Sequence, residues 1–368
     1  MATLEIGLRA DASLDIGTGH VMRCLTLAEE LRRQGAVCCF ICREHPGHLI
    51  GHIRERGFDV LVLTGAVPSE VPASRTAADY AAWLGADQAT DAAQARQALG
   101  DRRLDWLVVD HYALDERWER LMRPAARHIL AIDDLANRRH DVEVLLDQNL
   151  GRTARDYADL LSTTGAVLAG PRYALLRPEF AALREQSLRR RSLMRLRQLL
   201  VTLGGVDKDN LTLLVLEVLA ASELPVGCRI VVVMGAGAPG LQAVRDFADC
   251  MSGRIELRIN EKNMAALMAD CDAAIGAAGV TAWERCCLGL PTLLIMMAEN
   301  QRAGALALQA SGAALLPDVG VPLAEGLPAQ LPGLLDPKRR SQMQAACVSI
   351  VDGAGTRRVV EELLRVNL

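Results

Sequence analysis

Residues 4–35 read LEIGLRADASLDIGTGHVMRCLTLAEELRRQG, and they decide the fold. Leu4-Glu5-Ile6-Gly7-Leu8 has the short apolar pattern of a strand, and a loop follows from Asp11 to Gly19. From His20, the apolar positions Val21, Cys24, Leu25, Ala28 and Leu31 recur at helical spacing until Gly35. Working outward, residues 36–41 predict a second strand, residues 48–56 a helix and residues 59–63 a strand. Residues 104–109 and 128–132 are two more buried strands, each followed by aspartate. Strands alternating with helices imply a parallel sheet whose faces the helices cover. Residues 180–197, with Arg189, Arg190, Arg191, Arg195 and Arg197, read as a solvated connector helix. A second α/β series then starts at residue 199. The predicted class is α/β, with two Rossmann-like domains facing each other across a cleft. The expected bounds are 1–180 and 198–350, with a last helix in 351–368 docking across the domains. Residues 312–337 read as loops and short turns.

The 368 residues suffice for two cores at about 150 residues per domain. With 51% hydrophobic and 23% charged residues, a disordered chain is excluded. Basic and acidic residues number 41 and 45, and aromatics are only 3%, so a nucleic-acid surface is disfavoured. The N-terminus lacks the basic start and apolar core of a signal peptide. No apolar run reaches the roughly 18–20 residues that span a bilayer, so the expectation is a cytoplasmic protein without membrane insertion. The ten cysteines sit in apolar runs. Cys39 and Cys42 form a C-x-x-C inside a strand with no second pair, which favours core thiols over a zinc or redox site.

Chemistry concentrates at the strand ends. Gly17-Thr18-Gly19-His20 joins the first strand to the first helix, and its glycines allow a tight turn and a close ligand approach. A histidine at a helix N-terminus sits in a positive field that disfavours imidazolium, as a general base requires. Capping, or a neutral contact to phosphate, is the alternative. Met22 replaces the third glycine of G-x-G-x-x-G, which argues against a dinucleotide fingerprint. Asp110-His111-Tyr112 follows a strand whose carboxyl end points into a ligand crevice. Asp110 orients His20, holds a sugar hydroxyl, or caps the next helix; Tyr112 offers a hydroxyl and a ring face. Asp133 and Asp134 stand at the same kind of position one strand later. Gly204-Gly205-Val206 is a turn whose amides suit a diphosphate without metal, or simply a tight turn. Gly279-Val280-Thr281 opens another helix with Glu284 one turn inside, where a carboxylate accepts both ribose hydroxyls or complements the helix dipole. Asn300 and Gln301 add polar groups after the next strand.

Taken in order, several motifs carry a resemblance. They are Arg9-Ala10-Asp11, Gly17-Thr18-Gly19-His20, Arg23-Cys24, Asp110-His111-Tyr112, Ile132-Asp133-Asp134, Asp147-Gln148-Asn149, Gly170-Pro171-Arg172-Tyr173, Gly204-Gly205 and Glu299-Asn300-Gln301. The chain resembles the UDP-2,4-diacetamido-2,4,6-trideoxy-β-L-altropyranose hydrolases of pseudaminic acid biosynthesis. Residues 276–301 also resemble the nucleotide half of GT-B glycosyltransferases, above all the N-acetylglucosaminyltransferase that completes lipid II. The resemblance implies a GT-B-like fold and hydrolysis of the UDP-sugar to UDP and free sugar, inverting the anomeric carbon. It implies no metal and no organic cofactor, a small-molecule UDP-sugar as partner, and pathway enzymes of flagellin glycosylation as further partners. His20 matches the proposed base, with Tyr112 and Asp110 beside it. Arg9, Asp11, Gly17, Gly19, Asn300 and Gln301 match substrate contacts, and Gly204, Gly205, Val206, Gly279, Val280, Thr281 and Glu284 match the UDP site. Glu143 stands where an aspartate is expected before Asp147-Gln148-Asn149. A GT-B glycosyltransferase is the nearest rival reading, and residues 61–71 are a candidate for its lipid-facing patch or, alternatively, a buried strand. A hydrolysing epimerase and a non-catalytic nucleotide-sugar-binding protein are the others.

Overall fold

The computed structural model describes residues 3–65, 77–162, 164–191, 195–251 and 253–366. It divides into two compact units, residues 1–175 with 354–368 and residues 176–353. The first unit holds β1 (Glu5–Ala10), α1 (Gly19–Arg33), β2 (Val37–Arg43), α2 (Ile50–Glu55), β3 (Asp59–Leu63), α3 (Ala77–Trp83) and α4 (Gln88–Leu99). It continues with β4 (Leu104–Asp110), α5 (Glu116–Met122), β5 (Ala126–Ile132), β6 (Val144–Asp147) and β7 (Ala166–Ala169). These strands form one parallel sheet in the order β3-β2-β1-β4-β5-β6-β7.

Burial on both faces explains the continuous apolar runs. In β2, Cys38, Phe40 and Cys42 enter one core layer, and Cys39 and Ile41 enter the other. Cys39 and Cys42 therefore point to opposite faces and form no pair, and both thiols are free and buried.

The second unit begins with α6 (Pro178–Arg191), so residues 176–197 belong to it rather than to a connector. It continues through β8 (Gln198–Thr202), α7 (Leu211–Ala220), β9 (Arg229–Met234), α8 (Leu241–Cys250), β10 (Ile255–Ile259), α9 (Met264–Asp270) and β11 (Ala273–Ala277). Then come α10 (Thr281–Cys287), β12 (Thr292–Ile295), α11 (Arg302–Ala310), β13 (Ala314–Leu315), α12 (Leu323–Leu335) and α13 (Pro337–Ile350). Its sheet is parallel, in the order β10-β9-β8-β11-β12-β13.

The structure corrects two expectations. Residues 312–337 are not loops and turns throughout: α12 runs through Pro328 and Pro332. Leu327, Leu331 and Leu334 lie on one face of it, in the core of the unit. Burying each is worth about 1.5–3 kcal/mol, together of the same order as the cost of two interior prolines at roughly 3 kcal/mol each. The domain bounds move as well. The last helix, α14 (Gly355–Val366), contributes Val359, Val360 and Leu363 to the core of the first unit, beside α1. Of the segment 61–71, β3 takes residues up to 63, and residues 66–71 lie outside the described residues.

Candidate active site

Each sheet reverses its strand order once, at β1–β4 and at β8–β11. At such a switch point the connections depart to opposite faces and leave a crevice beyond the carboxyl ends of the two strands. Ala10 pairs with Asp110 in one sheet, and Thr202 with Gly276 in the other. The loops singled out by sequence leave these strand ends.

In the first unit, His20 lies in the first turn of α1 and is 7% exposed. Its Nδ1 is 2.6 Å from Asp110 Oδ1. Arg23, one turn along the same helix face, grips both oxygens of that carboxylate at 2.6 Å, through Nε and Nη2. Its Nη1 donates to Asp134 Oδ2 at 2.7 Å, and the Tyr112 hydroxyl donates to the same oxygen at 2.9 Å. The Tyr112 ring meets His20 edge-on at 4.6 Å. Burial pushes the pKa of Asp110 up, but the charge of Arg23, with the hydrogen bonds of Arg23 and His20, outweighs it, and the carboxyl is held well below its usual range. Asp110 is thus an anion facing His20 Nδ1, and a neutral ring that donates Nδ1–H to it carries its lone pair on Nε2.

Arg23 and Asp134 belong to this constellation; Asp134 is one of the strand-end aspartates named above, and Arg23 carried no role of its own. The spacing of Arg23, three residues after His20, is the signal that finds it. Tyr112 is buried, so its ring face is covered rather than presented to a ligand.

Arg9 and Asp11, expected as substrate contacts, lie wholly inside, beneath this layer. Arg9 Nη1 contacts Asp11 Oδ1 at 2.7 Å, and its Nη2 and Nε reach Asp91 at 2.8 and 3.2 Å. Arg43 joins Asp91 Oδ2 at 2.7 Å, and its backbone N–H donates to Asp11 Oδ1 at 2.7 Å. A buried cation must be paired where it sits, and these carboxylates do so, which leaves the two residues as a support. Asp11 Oδ2 has His45 Nε2 and His111 Nε2 each 3.6 Å away. His111 Nδ1 accepts the Ala113 N–H, and burial drives its pKa down to about 3, so the neutral ring carries its proton on Nε2, towards Asp11. That nitrogen is a donor, not a metal ligand. Among the described residues no three His, Cys, Asp or Glu side chains converge as a metal site. Gly17 adopts φ +80°, a left-handed turn that suits glycine, and its N–H donates to Ser13 O at 2.9 Å. Gly19 opens α1.

Asp133 is buried and accepts the Leu135 and Ala136 N–H groups and Arg138. His140, 1% exposed, sets Nδ1 2.7 Å from Glu119 Oε1 and Nε2 3.7 Å from Asp133 Oδ2. Burial lowers its pKa, but the carboxylates of Asp133 and Glu119 on either side of the ring outweigh that and lift it to about 9. A raised native pKa stabilises fully below the unfolded value of about 6.5, and the gain disappears as pH rises through about 9. Urea unfolding at pH 6 and at pH 9.5 should show the wild type losing about 3 kcal/mol that His140→Gln does not lose.

In the second unit, Gly204 and Gly205 are exposed and Val206 is half-buried. Gly204 has φ +97°. Gly205 O accepts the Gly235 N–H at 3.1 Å, and a Cβ at Gly235 would stand 2.2 Å from that oxygen, so a second glycine holds the turn. Asp207, buried, accepts Leu211 N–H and Thr212 N–H and caps α7. Gly279, Val280 and Thr281 are half-buried. Behind them Arg285, 1% exposed, donates to Ala277 O at 2.5 Å and to Thr281 Oγ1 at 3.0 Å. Glu284 Oε1 lies 3.5 Å from Arg177 Nη2; burial raises its pKa against the opposing fields of Arg177 and Arg285. Gln301 Oε1 accepts the Met297 N–H at 2.9 Å, so this side chain braces its own loop, and Asn300 is half-buried beside it.

Among the described residues no helix is long and apolar enough to cross a membrane. No family model matches the sequence. The chain is 25% identical over 307 residues to an uncharacterized protein of Methanocaldococcus jannaschii, covering 81% of this chain and 57% of that one. It is 26% identical over 321 residues to the spore coat polysaccharide biosynthesis protein SpsG of Bacillus subtilis, covering 86% and 84%. It is also 26% identical over 310 residues to the UDP-2,4-diacetamido-2,4,6-trideoxy-beta-L-altropyranose hydrolase of Campylobacter jejuni, covering 84% and 97%. Among solved structures, MurG of Acinetobacter baumannii superposes with a TM-score of 0.66 at 14% identity, covering 99% and 100% of the chains. The calicheamicin glycosyltransferase CalG4 gives 0.65 at 15%, covering 99% and 98%. The likeness establishes the architecture: two Rossmann-like parallel sheets flanked by helices, in a GT-B-like fold.

Proposed function

We propose that the chain hydrolyses a UDP-sugar to UDP and the free sugar, with UDP-2,4-diacetamido-2,4,6-trideoxy-β-L-altropyranose as substrate. The observation that carries the reading is the His20–Asp110–Arg23 constellation: an imidazole held through Nδ1 by a buried, ionised carboxylate, with Nε2 as its basic nitrogen. His20 Nε2 takes a proton from water as the water oxygen bonds to the anomeric carbon. The bond from that carbon to the UDP oxygen breaks, its electron pair leaves with UDP, and configuration inverts. Asp110 stabilises the imidazolium that forms. Amides of Gly204, Gly205 and Val206 and of Gly279, Val280 and Thr281 meet the charge on the leaving diphosphate. Glu284 holds the ribose, and Asn300 and Gln301 contact the substrate. No step requires a metal or an organic cofactor. The 26% identity to the Campylobacter hydrolase over nearly that protein's whole length supports water as the acceptor.

A second reading is a GT-B glycosyltransferase, in which His20 deprotonates an acceptor hydroxyl; the superposition on MurG and CalG4 favours it. Incubation with the UDP-sugar alone separates the two. By NMR, the hydrolase releases UDP and a sugar of inverted configuration at C1, whereas intact substrate in water overturns hydrolysis and leaves transfer. Glu284→Ala should weaken UDP binding about tenfold or more in calorimetry, the loss expected for hydrogen bonds to a charged group. Unchanged UDP affinity would remove Glu284 from the nucleotide site.

A further inference from the structure

The chain has only four tryptophans, four tyrosines and four phenylalanines, and three of these rings form one cluster joined to His20 through Tyr112. Tyr80 and Trp83 are three residues apart on α3, hence on one helix face. Their centroids are 4.8 Å apart, Tyr80 lies 5.1 Å from Tyr112, and Trp83 stacks on Tyr112 at 6.0 Å with 28° between the planes. Tyr112 in turn touches the His20 ring. Trp106, Trp118 and Trp283 are 0%, 0% and 5% exposed, but Trp83 and Tyr80 are only half-buried. The same segment has a proper core anchor in Leu84, 1% exposed, so Trp83 is not needed to pin it.

Half-buried rings one ring away from His20 favour an apolar or C–H-rich partner, because the ring face is electron-rich and the ring sheds water on contact. Phosphates have no such surface. The C–H face of a pyranose does, and deoxy and acetamido methyl groups enlarge it. We propose that Tyr80 and Trp83 form the sugar-recognising platform of the first unit and select a pyranosyl group bearing methyl substituents. The proposal rests on the reading that His20 acts at the anomeric carbon of a UDP-sugar.

Two measurements on the full-length protein test it. In the first, tryptophan fluorescence is titrated with methyl N-acetyl-β-glucosaminide and, separately, with UDP. The glycoside should give a saturable change that Trp83→Phe abolishes, and UDP should leave the Trp83-dependent signal unmoved. An identical glycoside response in wild type and Trp83→Phe, or a Trp83 response to UDP alone, overturns the platform. In the second, UDP release is followed from the diacetamido trideoxy UDP-sugar. Trp83→Ala and Tyr80→Ala should raise KM about tenfold or more while kcat stays within about threefold, and Trp83→Phe, which keeps a ring, should restore most of the affinity. Unchanged KM in both alanine variants also overturns it. Absence of UDP release by the wild type would instead refute the hydrolase reading, and the glycoside titration would still decide the platform.

Discussion

His20→Ala should slow UDP release by about 100- to 10,000-fold, the usual contribution of a positioned base, and leave UDP affinity within about twofold. The split follows from where the residue sits. His20 belongs to the first unit, in the first turn of α1, and the loops assigned to UDP belong to the second. Asp110→Asn should cost nearly as much. An amide accepts or donates at Nδ1, so the ring is free to take the tautomer with its proton on Nε2, and Arg23 loses the anion it grips with two donors. Because Arg23 and His20 hold Asp110 well below the usual carboxylate range against the push of burial, it stays ionised throughout any practical assay. An acid limb in the rate profile therefore does not belong to Asp110. Steady-state kinetics and UDP calorimetry on the two variants check both statements. Wild-type turnover in His20→Ala would end the role of the imidazole, and equal losses of turnover and UDP affinity would make it a folding residue.

Much of this was legible in residues 4–35, since a strand, a glycine turn and an amphipathic helix in succession have few other solutions. The paired strand ends were legible too: aspartate after an apolar run marks where a parallel strand reaches the crevice, and Asp110 is in register with Ala10. What failed has physical causes. β6 and β7 are four residues each, too short for a period to show. α4 is rich in alanine and glutamine and shows little of an apolar stripe, because its buried face carries Asp91, Ala92 and Ala95, with Leu99 its one large hydrophobe. α12 holds two prolines that local rules read as breakers, and only the core contacts of its leucines offset them. Arg9 and Asp11 were expected as ligand contacts only through the family resemblance of their motif. Their partner Asp91 lies 82 residues from Arg9, and no local pattern announces it.

That partner makes Asp91 the residue whose loss should hurt stability most. It is wholly buried and accepts Arg9 through two donors, Arg43 at 2.7 Å and the Trp118 indole N–H at 2.9 Å. Asp91→Ala removes the carboxylate that Arg43 holds and leaves Arg9 with the Asp11 carboxylate alone, and breaking a buried pair from one side costs about 3–5 kcal/mol. Asp87→Ala, on the same helix, removes only an N-cap that accepts the Thr90 N–H and should cost about 1 kcal/mol. Urea unfolding of the two variants isolates the buried charge from the helix that carries it. The pH dependence supplies a second check. Burial pushes Asp91 up, but Arg9 and then Arg43 more than offset this and its pKa is lowered. A depressed native pKa gives stability that is present above the unfolded value of about 3.9 and is lost as pH falls through the native one. The wild type should therefore lose stability on acidification, and Asp91→Ala should lose less, so that the gap between them narrows towards low pH. Equal costs for the two alanine variants at neutral pH, or a gap that does not narrow in acid, would show that the guanidiniums find other partners and that the network is not what holds the floor of the site.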